Sequence, residues 1–187
     1  YADGMSYGVV SASNYKATFF DGECAVIATD IPAEEQGTGM LFNMDGEVVG
    51  MISSSVWNDT GKNVVNAYGI SDLKPIIELL INGKSVPYIG IYGTTVTEQL
   101  AEEHKMPSGI YVADVDPDSP AMAAGIQIGD IICEASGEEI KDIAAYQNIV
   151  IGSSVGETME FVGKRLGSDG YVNIKFSVVT TEKEEVK

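Results

Sequence analysis

One histidine, His104, two cysteines, Cys24 and Cys133, and adjacent glutamates such as Glu34-Glu35 and Glu102-Glu103 are among the residues whose types could carry chemistry in this chain. A Ser or Thr hydroxyl is a poor nucleophile until a positioned base takes its proton. His104 is the only imidazole available for that task, and among Glu102, Glu103 and Lys105 it reads as an exposed histidine on a helix surface. Adjacent glutamates point apart in a helix or a strand, so neither pair is a catalytic dyad and both read as solvated charge. The two cysteines lie far apart, each in an apolar run, and read as buried free thiols rather than a disulfide or a metal pair. That leaves the redox compartment open. The sequence shows no metal-ligand cluster and no phosphate-cradling loop, and no cofactor is expected.

The charge balance narrows the partners. With 11 Lys+Arg against 28 Asp+Glu the formal charge is −17, and a chain without a basic face cannot neutralise phosphates, so nucleic acid is excluded as a nonspecific partner. The 187 residues, 44% hydrophobic and 21% charged, suit one large folded domain or two small ones. No apolar run approaches the roughly 18–20 residues of a membrane span, and the N-terminus lacks the order of a signal peptide. Tyr1 is not an initiator Met, so that second absence carries little weight.

Several elements must position whatever site exists. Gly8 to Ala12 and Glu23 to Thr29 are short β-branched runs bounded by Gly, Asp and Asn, and read as strands. Met40 to Asn43 and Val48 to Ser53 flank Asp45-Gly46, which supplies the positive φ angles of a tight hairpin. Leu73, Ile76, Ile77, Leu80 and Ile81 recur at helical spacing behind a Ser71 cap and end at Asn82-Gly83. The polar stretch Asn82 to Pro87 is the expected domain boundary. Beyond it the pattern predicts strands at Tyr88–Tyr92, Gly109–Val115 and Asp130–Ala135, and helices at Thr97–His104, Ala121–Ala124 and Asp142–Ile151. A hairpin of Met159–Lys164 with Tyr171–Val179 follows, and then a frayed charged tail from Thr180.

Tyr88-Ile89-Gly90-Ile91, Gly109-Ile110-Tyr111-Val112-Ala113-Asp114-Val115, Ser119-Pro120-Ala121, Ala124-Gly125-Ile126 and Gly129-Asp130-Ile131-Ile132 follow one another over about 90 residues. In order and spacing they resemble the PDZ domain of the HtrA (Deg) family of trypsin-like serine proteases. Gly8-Val9-Val10-Ser11-Ala12, Ala28-Thr29-Asp30 and Asn43 to Gly50 resemble strands and a hairpin of the second β-barrel lobe of the same family's protease domain, and the helix at Ser71–Ile81 resembles the one leading into its PDZ domain. The resemblance implies a mainly β fold with short helices. A partial trypsin-like β-barrel lobe over residues 1–84 is followed by a PDZ domain over 87–180 and a charged tail over 181–187.

The departures from the family pattern bear on activity. Where the family carries its nucleophilic serine in G-N-S-G-G-P, this chain reads Glu35-Gln36-Gly37-Thr38-Gly39-Met40. Counting back from Asn43 places Gly37 at the serine position, and a one-residue slip places Thr38 there. The amides of Gly37, Thr38 and Gly39 could cradle an oxyanion, but the stretch reads as a surface loop left after loss of the site. The His and Asp of the family's triad would lie upstream of Tyr1. The resemblance therefore implies a degenerate protease fragment without catalytic residues. The alternative is part of a serine-type endopeptidase whose His and Asp lie in a missing upstream lobe, with Thr38 as nucleophile.

The PDZ resemblance implies a positive function. Such a groove adds a peptide strand to a sheet edge and holds its terminal carboxylate on backbone amides. Here Tyr88, Ile89, Gly90 and Ile91 would form the carboxylate loop, and Gly90 would keep the backbone open to the ligand. Ile89 and Ile91 would face Tyr146, Ile149 and Val150 of the following helix across an apolar pocket. Expected partners are C-terminal or unfolded peptide segments, and a homo-oligomer or a missing protease lobe, since an incomplete lobe leaves edges exposed. If Tyr146 fills the pocket, a purely structural adaptor is the third reading. Protein quality control and an extracytoplasmic or cell-envelope location in a bacterium are implied by the resemblance alone.

Overall fold

A computed structural model of the chain describes residues 5–33, 37–53 and 64–183. It is mainly β, with four short helices among the described residues. The chain divides into two compact units, residues 1–17 with 24–77 and residues 18–23 with 78–187. The sequence had placed the boundary at residues 82–87.

The first unit is built on a sheet in the order β1-β2-β5-β4-β3. Its strands are β1 (Val10–Phe19), β2 (Gly22–Pro32), β3 (Gly39–Phe42), β4 (Val48–Ile52) and β5 (Val64–Gly69). Alternation in β2 buries Cys24 and Val26 completely, and Val26 packs with Ala17 and Tyr68. The hairpin of β3 and β4 stands where the sequence puts it, with one difference. Only Gly46 has a positive φ, +80°, because the Asn43 side chain accepts the Asp45 and Glu47 amides (3.0 and 2.9 Å) and closes the loop itself. The β1 strand runs seven residues past the expected end at Ala12, through the polar Asn14, Tyr15 and Lys16. Pairing with β2 outweighs the low strand preference of Asn14 and Lys16, between which Tyr15 is itself a strand former.

Helix α1 (Ile70–Ile81) begins one residue before the expected cap at Ser71. It ends at Gly83 (φ +67°), where the Lys84 N–H reaches the Leu79 carbonyl at 3.0 Å. In the second unit α2 (Glu98–His104) is capped by Thr97, α3 (Pro120–Ala123) by Ser119 and α4 (Ile143–Gly152) by Asp142. All three caps are oxygen-bearing side chains that satisfy a free amide of the first turn.

The second unit's main sheet is antiparallel, in the order β12-β11-β9-β8-β7 with β10 beside β9. It comprises β7 (Ile91–Val96), β8 (Gly109–Val115), β9 (Ile131–Ala135), β10 (Glu138–Glu139), β11 (Thr158–Gly167) and β12 (Gly170–Val179). Its core gathers Ile89, Ile91, Ile110, Val112, Ile132, Tyr146, Val150, Met159 and Phe161, all at 1% exposure or less.

Two expectations for this unit are corrected. The strand expected over Tyr88–Tyr92 is interrupted at Ile89-Gly90 between β6 (Pro87–Tyr88) and β7, because Gly90 takes φ +93°. The tail is not frayed at Thr180. That residue is buried, its hydroxyl donates to the Ser154 carbonyl at 2.6 Å, and its backbone N–H and C=O bond Glu157 and Gly156 (both 2.9 Å). Thr181 and Glu182 then form β13, paired antiparallel with β6.

Candidate functional site: a carboxylate held by three consecutive amides

Gly90 organises the loop between β6 and β7. Its left-handed backbone turns the Ile89 carbonyl to the Ala121 amide (2.9 Å) and its own carbonyl to the Asp116 amide (3.0 Å). With those carbonyls engaged, the N–H groups of Ile89, Gly90 and Ile91 are left to converge on one side, which makes an anion-binding concavity of backbone donors.

The concavity is filled. The Asp21 carboxylate accepts from the Ile89 and Gly90 amides through Oδ2 (both 2.7 Å) and from the Ile91 amide through Oδ1 (2.9 Å). A fourth donor is the Tyr146 hydroxyl, 2.6 Å from Oδ1. Asp21 sits at the tip of the β1–β2 hairpin, in the segment 18–23 that belongs to the second unit. Its own backbone is left-handed (φ +64°), and its N–H donates to the Ile91 carbonyl at 2.7 Å. Beside it the Glu23 amide donates to Gln147 Oε1 (3.1 Å), and the Phe20 ring meets Tyr92 edge-on at 5.8 Å.

Electrostatics at the site pull in opposite directions. Burial disfavours the ionised form and raises the Asp21 carboxyl above its usual range, while Tyr146 and the three amides, which bond the ionised form, work against that rise. Burial and the neighbouring Asp21 charge likewise push the Tyr146 phenol up. The Tyr88 phenol rises for burial and for its hydrogen bond to Asp116.

The residues named from sequence are found in three places. Ile89, Gly90 and Ile91 present their amides together to Asp21, and Tyr146 reaches the same point by its hydroxyl. The side chains of Ile89, Ile91, Tyr146 and Val150 belong to the buried core, and Tyr88 is 8% exposed. Ile149 is half-buried and lines a cleft of about 450 Å³ with Ser136, Glu139, Asn148 and Met159. Gly90 serves a different end from the one expected of it. A Cβ there would stand 2.3 Å from the Ser119 Cβ and 3.2 Å from the Tyr88 hydroxyl, so it preserves the loop's own packing as well as its conformation. A branched residue at 90 would disturb the fold rather than only obstruct a ligand.

Sequence reasoning passed over Asp21. The signal was the Asp21-Gly22 pair between two strand-like runs, a turn signature with an anionic tip. Its partners lie 68 to 125 residues away, beyond any local pattern.

Comparison with known proteins joins the two units. A family model described as PDZ domain matches residues 111–165. A probable periplasmic serine endoprotease, DegP-like, of Halomonas elongata is 30% identical over 177 residues, which is 91% of this chain and 37% of that protein. The serine protease Do-like HtrA of Bacillus subtilis is 30% identical over 174 residues, 86% of this chain and 38% of its own length. The chain belongs to the HtrA family. It spans less than two fifths of the length of these relatives. Among solved structures, the HtrA-type protease AlgW with tripeptide shares the fold, with a TM-score of 0.60 at 21% identity over 96% of this chain and 60% of that one.

In this HtrA-family chain the stretch that the sequence resemblance sets against the family's nucleophile loop is only partly described. Gly37 and Thr38 are exposed, and Gly39 opens β3 opposite Ile52. Among the described residues nothing lies within 4 Å of where a Cβ at Gly37 would stand. Glu34, Glu35 and Gln36 lie outside the described residues. His104 is exposed at the end of α2, as are Glu102 and Glu103. Both cysteines are free thiols, Cys24 fully buried and Cys133 half-buried. Burial, reinforced by the Asp72 charge, pushes the Cys24 thiol up to about 11. Among the described residues no helix is long and apolar enough to cross a membrane.

Proposed function

We propose that the second unit is a peptide-binding PDZ domain that takes the free C-terminus of a protein partner on the amides of Ile89, Gly90 and Ile91. The observation that carries this reading is the convergence of those three N–H groups on one carboxylate at 2.7–2.9 Å. It supports a site preorganised for an anion, since hydrogen bonds to a charged acceptor are the strong ones. The expected ligand ends in an apolar side chain, in keeping with the aliphatic and aromatic surroundings of the loop, and lies along β7 as an added strand.

We further propose that this stretch of chain is a pseudoprotease. Its support is the sequence Gly37-Thr38-Gly39 in place of a serine loop, with the one histidine exposed on α2. Surveillance of misfolded proteins outside the cytoplasm is the matching role, supported by the periplasmic relatives, and self-association is the matching assembly.

The test is fluorescence anisotropy on the full chain with a labelled peptide ending in valine, as free acid and as amide. The acid should bind about 10- to 150-fold more tightly, the worth of about 1.5–3 kcal/mol for a hydrogen bond to a charged group. Equal binding of the two forms would leave the domain a structural adaptor. A fluorophosphonate probe should leave the chain unlabelled, and labelling at Thr38 would restore the endopeptidase reading.

A further inference from the structure

We infer that the hairpin tip Phe20-Asp21-Gly22 is a built-in occupant of the carboxylate loop, and that an incoming C-terminal peptide binds by displacing it. The inference rests on the peptide-binding reading above.

The tip makes the two sets of backbone contacts that a peptide would need. The Asp21 side chain takes the three amides on which a terminal carboxylate would sit. The Asp21 N–H takes the Ile91 carbonyl (2.7 Å), the first main-chain bond available to a strand added at β7. Against the helix flanking the loop, Tyr146 donates to Asp21 and Gln147 accepts from Glu23. Gly22 fits this approach closely, since a Cβ there would fall 2.6–2.9 Å from the Gln147 amide group. Lys183 extends over the Phe20 and Tyr88 rings at 5.5 and 5.0 Å, holding the tip from its other side.

The two occupants exclude each other. An ionised carboxylate offers about four lone-pair sites, and here four donors meet one carboxylate. No donor of the loop is spare, so a second carboxylate can enter only as the first leaves. The tip is also built to leave. Asp21 is held in a left-handed conformation that costs a non-glycine residue energy, which release returns.

Competition of this kind divides the intrinsic dissociation constant by the fraction of molecules with an open site, and so weakens binding by that factor. On the full chain, Asp21→Ala should therefore tighten binding of the free-acid peptide at least tenfold. In the unaltered protein, a saturating dose of that peptide should speed hydrogen exchange at the Asp21 amide while the Ile89, Gly90 and Ile91 amides stay protected. This second readout needs no variant, so it holds even if Asp21→Ala folds poorly. Unchanged affinity in Asp21→Ala, with the Asp21 amide still protected under saturating peptide, would overturn built-in occupancy and leave peptide binding standing. Failure of both proteins to prefer the acid over the amide would overturn peptide binding itself, and the inference with it.

Discussion

Replacing Gly90 by alanine tests whether the carboxylate loop is shaped by packing or only by openness. The backbone there has φ +93° and is tied on both sides, its N–H to Asp21 and its carbonyl to Asp116, so it cannot relax into a right-handed conformation without losing those bonds. An alanine held there costs about 1–2 kcal/mol in conformational strain. The new Cβ would stand 2.3 Å from the Ser119 Cβ and 2.7 Å from its hydroxyl, an overlap that costs a further 1–3 kcal/mol or so. The sum is about 2–5 kcal/mol. Because Ser119 Cβ is the nearest obstacle, Ser119→Gly in the same chain should return most of the overlap and lose only a few tenths as a helix cap. Urea unfolding followed by the amide resonances of Val112 and Phe161 reads the second unit separately, which matters in a chain of two units. A Gly90→Ala protein within 0.5 kcal/mol or so of the parent, or no rescue by Ser119→Gly, would refute the reasoning.

Three further outcomes are expected. Asp130 is buried to 1% and held by Arg165 at 2.6 Å, while Arg165 is a third exposed; Arg165→Met strands a buried carboxylate and should cost about 3 kcal/mol, against about 1–2 for Asp130→Asn, and the reverse order in urea unfolding would contradict this. With its thiol at about 11, Cys24 is about 0.1% thiolate at pH 8, so mass mapping after a short iodoacetamide pulse should find it unlabelled in the native chain and labelled after denaturation. Because burial raises the Asp21 carboxyl, its favourable contribution is fully present below the unfolded value of 3.8 and is lost as pH rises through the native one; the stability of the parent minus that of Asp21→Asn should fall as pH rises above 3.8, and a rise would mean that the four hydrogen bonds outweigh burial.

Where the sequence was legible, the rules were local. The helices expected over 97–104 and 142–151 stand close to where their residue patterns put them, and Asp45-Gly46 announced the β3–β4 hairpin, although Asn43 rather than two positive φ angles closes it. The Ile89-Gly90-Ile91 motif was readable as a family pattern, but the convergence of its amides on Asp21 was not. What escaped was set by partners far along the chain. Asn14 to Lys16 are polar and became strand because β2 lies beside them. Thr180 looked like the start of a loose tail, yet Ser154 and Glu157 satisfy its hydroxyl and backbone. The family resemblance puts Ile89, Ile91 and Val150 in a pocket, while their apolar character equally suits the buried core in which they lie. Asp21 was invisible as part of the site because nothing near it in sequence indicates three amides 68 to 70 residues away.

The most direct measurement is a titration of the ¹⁵N-labelled chain with the valine-ending peptide, following the amide resonances of Ile89, Gly90 and Ile91. The free acid should shift all three together in a saturable manner, and the amidated peptide should leave them in place. Equal shifts from acid and amide, or saturable binding that leaves these three amides unmoved, would contradict carboxylate capture by this loop.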